Sequence, residues 1–391
     1  MLLTIVSFLL ILTVLVLIHE AGHFFTAKLF GVKVEEFGFG FPPRAWGKKI
    51  GETLYSINWL PIGGFVKLFG EDEAGGGKVG ISSSKSPSTS FGSPQDKSFG
   101  FAQDKSSGTS DLHRAFFARP VWQRFLIVFA GVFMNFVLAT LLLTYLVGVQ
   151  GIPAPGNKIF VTAVVKNSPA QHAGLVPGDR IVKVDGNAVS STNYIISYTK
   201  AHEGKQITLT IETKEKKLEK VLLTPRVHFP ANEGAMGVAI ETNVVAKHFP
   251  WYLWPLEGLK MAILQSWLIL TGLWGLLTQL TTQGKVPQDL AGPIGIAQIT
   301  GQFVQMGFTA TLSLLALLSL NLAILNVLPI PALDGGRLFF IVIEGITRRK
   351  VSPKIEGYVH TAGMVFLLIL IALITLHDII RIATGGSLLP H

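Results

Sequence analysis

The sequence contains no cysteine. No disulfide can staple the fold, and any metal site must draw on His, Asp or Glu. Charge is also scarce: Asp, Glu, Lys and Arg make up 15% of the 391 residues, against about 25% in ordinary soluble chains. Acidic residues are the scarcer sign, 24 against 33 basic, giving a net charge of +9. The basic residues are spread through loops with no aromatic-interleaved basic face, which argues against nucleic acid as a partner. In a chain this apolar, the excess points to topology and to contact with anionic lipid. The N-terminus lacks the basic n-region and small-residue cleavage site of a secretory signal, so its apolar run is expected to be retained as a span.

Hydrophobic residues are abundant, at 49% with a mean hydropathy of +0.48. Several runs exceed the roughly 20 helical residues that cross a bilayer core. The pattern predicts a polytopic α-helical membrane protein with four transmembrane helices at 1–30, 119–150, 309–340 and 357–381. Between the first two lies an apolar loop, 31–73, whose short alternating stretches and Gly and Pro turns suggest a membrane-associated β-hairpin element. Residues 74–118 form a Gly- and Ser-rich insert with a tandem repeat, SFGSPQDK at 90–97 and SFGFAQDK at 98–105, and are expected to be flexible. Residues 152–245 turn to soluble composition and predict one small inserted α+β domain.

The run at 250–308 is ambiguous. Its segment 251–280 is long enough to cross, but Pro255, Glu257, Lys260, Gln265 and Gln279 interrupt it. A fifth crossing there would put Arg348, Arg349 and Lys350 outside. Four crossings leave both basic clusters, 28–124 and 337–354, in the cytoplasm. The expectation is therefore an interfacial or re-entrant amphipathic segment.

The stretch LVLIHEAGHFF, 15–25, ends the first span. His19 and His23 are four apart, so both imidazoles leave one helix face and can reach one ion. Glu20 can hold a water beside it, which is the mechanical content of an H-E-x-x-H zinc hydrolase motif. At membrane depth such groups are costly and usually functional, which weakens the reading as chance histidines. A catalytic zinc needs a third protein ligand and an open position. Asp334, just past the cytoplasmic end of the third span, lies at matching depth. Glu344, His360 and Glu52 are poorer candidates on depth or context. Pro329, Pro331, Gly335 and Gly336 break the helix beside Asp334 and expose backbone that an extended peptide can pair with. Asn321 and Asn326 could hold substrate backbone or a scissile carbonyl, or could bond neighbouring helices. Asn135, four residues after Gly131, favours the helix-packing reading.

With these motifs in view, the chain resembles the site-2 protease family of intramembrane zinc metalloproteases, of the bacterial sigma-E regulator protease type. HEAGH at 19–23, GFGF at 38–41, FAGVFMN at 129–135 and NVLPIPALDGG at 326–336 carry the resemblance. So does SPAQHAGLVPGDRIVKVDG at 168–186, which resembles part of a PDZ domain. The resemblance covers nearly all of the chain except 74–112. It implies one Zn2+ held by His19, His23 and Asp334, with Glu20 as general base. It further implies Asn321 and Asn326 near substrate, with Pro331 and Gly335 in the broken turn. The 38–69 segment becomes a membrane-entering β element that pairs with substrate. Implied substrates are single-pass membrane proteins already trimmed by a first protease. The implied location is the bacterial cytoplasmic membrane, with the PDZ-like domain outside. Two departures stand out: Val132 replaces the usual Pro after Gly131, and there is one PDZ-like module where some relatives carry two. A non-catalytic membrane scaffold is the rival class, but it would need none of the four metal-site residues.

Overall fold

The computed structural model describes residues 2–71, 112–230, 233–283 and 292–383. The repeat at 90–105 lies outside the described residues. The chain divides into two units, Met1–Leu146 with Tyr252–His391, and Val147–Trp251.

In the first unit, α1 (Leu2–Leu29) and α2 (Val121–Gln150) are long apolar helices. A lipid-facing chain must satisfy its backbone internally, and helix is how a single segment does so. At about 1.5 Å per residue both exceed the roughly 30 Å core. They approach closely because Gly22 lies on the Ala130 carbonyl, where any Cβ would collide. Between them run β1 (Val34–Ile50) and β2 (Thr53–Leu68), an antiparallel pair. The first half of β1 has partners on both halves of β2: Phe39 is opposite Gly64 and Ile57, and Gly47 in the second half of β1 is opposite Ser56. The hairpin is thus bent back on itself into four short segments. Glu52 at its tip pairs with Lys28 of α1 at 2.7 Å and with Arg114 at 2.8 Å.

The expected flexible insert ends earlier than 118. Leu112–Arg114 and Phe116–Ala118 are 3-10 turns. Phe116 is buried with Ala27, Val32, Val34, Leu68 and Ile127, so apolar packing holds this piece in the core.

The ambiguous 250–308 region is helical at both ends. Its first part is one continuous helix, α5 (Trp254–Gln283). Pro255 falls in the first turn, where a proline costs no hydrogen bond. Glu257 pairs with Lys260 at 2.7 Å, so these charges do not break the helix. Ala262 of α5 joins Ala139, Leu143, Ala316 and Leu320 in a buried cluster. Among the described residues five helices are long and apolar enough to cross a membrane, α5 included. α6 (Pro293–Gln305) is too short to cross; its Gly301 lies on Thr4 of α1.

The expected third span, 309–340, is two helices. α7 (Phe308–Val327) stops before Pro329, and α8 (Asp334–Thr347) starts afresh. α9 (Pro353–Ala383) closes the unit. Its Asp378 is fully buried, accepts the Gly295 N–H of α6 at 2.8 Å and pairs with Arg381 at 3.0 Å. Gly292 gives α6 no side-chain cap, so Asp378 supplies one from another helix.

The second unit is a sheet ordered β7 (Leu218–Leu223), β6 (Ile207–Glu212), β4 (Arg180–Val184), β3 (Ile152–Val164), β8 (Val238–Lys247), with β5 (Asn187–Ala188) on β4. Inward residues alternate along β6, and Ile159, Ile181, Ile207 and Leu209 fill the core with Ile195 from α4 (Thr192–Ala201). The short α3 (Pro169–His172) is capped by Ser168, and α4 by Ser191.

Two outcomes are expected. Asp378→Ala should destabilise by about 3–5 kcal/mol, seen as a lower melting temperature in detergent. Hydrogen bonds from Arg114 and Lys28 hold the Glu52 carboxyl down at about 2. A lowered folded-state value means the tether is fully present above about pH 4.3 and is lost as pH falls toward 2. Amide exchange at the β1–β2 turn should rise across that window, and Glu52→Gln should raise it at neutral pH.

Candidate metal centre

Three donors meet where α1, α2 and the start of α8 converge. His19 Nε2 lies 2.8 Å from Asp334 Oδ2, His23 Nε2 3.4 Å from the same oxygen, and the two Nε2 atoms are 3.1 Å apart. The four-residue spacing on α1 sets the rings nearly perpendicular, 81° apart. Tetrahedral zinc with bonds of about 2.0–2.1 Å keeps ligand atoms roughly 3.3 Å apart. The triangle matches that size. Two imidazole lone pairs aimed at one another this closely repel unless a proton or a cation sits between them.

The rear of each ring is held by α2. His23 Nδ1 donates to the Ile127 carbonyl at 2.8 Å, which leaves Nε2 unprotonated and free to ligate. His19 Nδ1 is 3.2 Å from the amide of Asn135. Between these partners sits Gly131, where a Cβ would collide with His23 and come within 2.9 Å of His19 Cε1. Residues 127, 131 and 135 lie four apart on one face of α2, and that stripe forms the cradle. The donor set, the freed Nε2 atoms and the glycine hollow fit a zinc ion.

The loop before α8 places Asp334. Gly335 lies where a side chain would strike the Leu328 carbonyl, and a Cβ at Gly336 would be 2.8 Å from the Ile330 carbonyl. Ala332 has a left-handed φ of 74°, and its N–H donates to His360 Nδ1 at 3.0 Å. Pro331 packs on Gly363 of α9. Asp334 stands in the first turn of α8, where the helix dipole favours a carboxylate.

Glu20 and His23 line a cavity of about 190 Å³ with Phe65, Glu71, Asp334 and Arg337. Gly64 of β2 passes beside it, with the Glu20 Cγ 3.6 Å from where a Cβ would stand. Arg337 pairs with Glu71, which ties α8 to the end of the hairpin.

The structure thus brings His19, His23, Asp334 and Glu20 together. Asn321, Asn326, Pro331 and Gly335 are not among the residues lining this cavity; Asn326 is buried at the end of α7. The poorer third-ligand candidates have other partners: Glu344 pairs with Arg124 at 2.6 Å, Glu52 with Lys28 and Arg114, and His360 with Ala332. Sequence reasoning assigned Asn135 to helix packing, whereas its side chain reaches His19, a candidate ligand. The signal was the four-residue step from Gly131, but sequence could not say which helix that face met.

The model of peptidase family M50 matches residues 7–370. A candidate zinc metalloprotease of Clostridium perfringens is 34% identical across 95% of this chain and 97% of its own. The regulator of sigma-W protease RasP of Bacillus subtilis is 30% identical across 97% and 99%. Among solved structures, the PDZ domain of an SdrC-like protein from Listeria monocytogenes is 21% identical, covering 23% of this chain and 93% of that one, with a TM-score of 0.20.

Gly131→Ala should press a methyl group into both histidine rings. Metal analysis of the purified variant is expected to show zinc well below one per chain, with helical circular dichroism unchanged.

Proposed function

The chain belongs to peptidase family M50 and is a zinc metalloprotease of the membrane, and we propose that it cuts peptide bonds within the bilayer, in transmembrane segments of single-pass proteins already trimmed by another protease. One observation carries the reading: His19, His23 and Asp334 converge beside Glu20 on membrane helices, next to a hairpin and a polar cavity. A scaffold with a decayed site would have no reason to keep the ligands, the base and the glycine hollow together.

His19, His23 and Asp334 would hold the ion. When bound, zinc supplies a Lewis acid that acidifies water and polarises the scissile carbonyl. Glu20 takes the water proton and returns it to the leaving amine. The cavity beside Glu20 admits water to this depth. The edge of β2 at Gly64–Leu68 accepts the unwound substrate as an added strand. Asn321 and Asn326 serve substrate backbone further along α7, while Pro331 and Gly335 shape the turn that presents Asp334.

The reading takes four crossings in the bacterial cytoplasmic membrane. The metal centre supports it: the histidines stand in the second half of α1 and Asp334 follows the end of α7, as they would if α1 and α7 ran in the same direction. On that reading an even number of crossings separates α2 from α7 in the chain, and α5 does not cross once by itself. The basic loops support a centre toward the cytoplasm, and we read Val147–Trp251 as lying outside. We read that unit as a PDZ domain. Its groove of about 440 Å³, lined by Ile195, Thr199, Phe229, Met236 and Ile240, suits an extended chain end or a filter for untrimmed substrates.

Glu20→Gln should bind zinc at wild-type stoichiometry yet cleave a model transmembrane substrate at least about 100-fold more slowly. Robust cleavage by that variant would sink the assignment. His23→Ala or Asp334→Ala should lose bound zinc, and an unchanged metal content would refute the ligand set.

A further inference from the structure

Asn135 is fully buried, and its Oδ1 has no hydrogen-bond partner. Its amide nitrogen stands 3.2 Å from His19 Nδ1. A neutral imidazole that ligates through Nε2 carries its proton on Nδ1 and can only donate there. An amide N–H facing that N–H would be repulsive. Turning the Asn135 amide by 180° brings Oδ1 to the same place as an acceptor. No water competes, because the group is sealed from solvent.

We propose that Asn135 is the positioning residue for His19: in the zinc-loaded protein its Oδ1 accepts the His19 Nδ1 proton, fixing the tautomer and aim of that ligand. This rests on the metal-centre reading above. It makes the two histidines equivalent in support. His23 is oriented by a main-chain carbonyl, which no substitution can delete, and His19 by a side chain, which one can. The bond also strengthens His19 as a donor by letting positive charge on the ring spread toward an acceptor.

Helix packing is separable from this role. Ser319 of α7 donates to the backbone carbonyl of Asn135 at 2.8 Å, so the α2–α7 contact runs through the main chain. Replacing the Asn135 side chain leaves it in place.

The test uses the full chain in detergent, stripped of metal and titrated with Zn2+ against a chromophoric chelator. Asn135→Leu removes the acceptor at similar volume and should weaken zinc about 10- to 100-fold, while Asn135→Asp keeps an acceptor and should bind at least as tightly as wild type. Ser319→Ala is the packing control, expected to lower the melting temperature with zinc affinity within about twofold of wild type. Wild-type affinity in Asn135→Leu overturns the proposal, as does Asn135→Asp binding as weakly as the leucine variant. Failure of the metal-centre reading looks different: wild type would take up no zinc, or His23→Ala would bind as well as wild type, and the proposal would fall with it.

Discussion

A carboxylate and two imidazoles in an apolar helical bundle are costly unless they share a cation, and the membrane unit is arranged around that requirement. Asp334 lies 311 residues beyond His23 in the chain, yet the candidate ligand atoms of Asp334, His19 and His23 lie within 4.8 Å of one another. The break between α7 and α8 brings the Asp334 carboxylate beside the two imidazoles. The turn tolerates a left-handed Ala332 because His360 and Gly363 of α9 brace it. A strained backbone persists only where its surroundings over-determine it, and here they do.

α2 contributes no ligand, but it governs both histidines. Its stripe of Ile127, Gly131 and Asn135 meets α1 at the point where Gly22 lets the backbones touch. Small residues at a membrane-helix crossing are usually explained by packing. At this crossing the space left by Gly131 is filled by imidazole rings, so close approach and metal geometry are one constraint.

The hairpin is the third wall. It is held at its tip by the Lys28–Glu52–Arg114 cluster and at its far end by Glu71 on Arg337, three residues after Asp334. That anchoring keeps Gly64 and Phe65 against Glu20 and leaves a small polar cavity beside the donors. An open strand edge in a membrane protein is tolerable only beside protein or a wet cavity, and the edge at Phe65–Leu68 lines the cavity beside Glu20.

Local pattern was enough for much of this. Long apolar runs marked the helices, the i, i+4 histidines marked half the metal site, and Gly–Pro punctuation marked the break before Asp334, because each depends on neighbours in sequence. The soluble composition of 152–245 marked the inserted unit for the same reason. Other features depended on what met what in space. α5 is continuous because Glu257 pairs with Lys260 and its apolar face finds α2 and α7, none of which its interrupted composition foretold. Phe116 is core rather than linker because it packs on α1 and the hairpin. Asn135 reads as a packing residue along the chain and becomes a partner of His19 only when α2 is laid against α1. Sequence records which groups a helix carries on each face; only tertiary contact decides which face turns toward the metal.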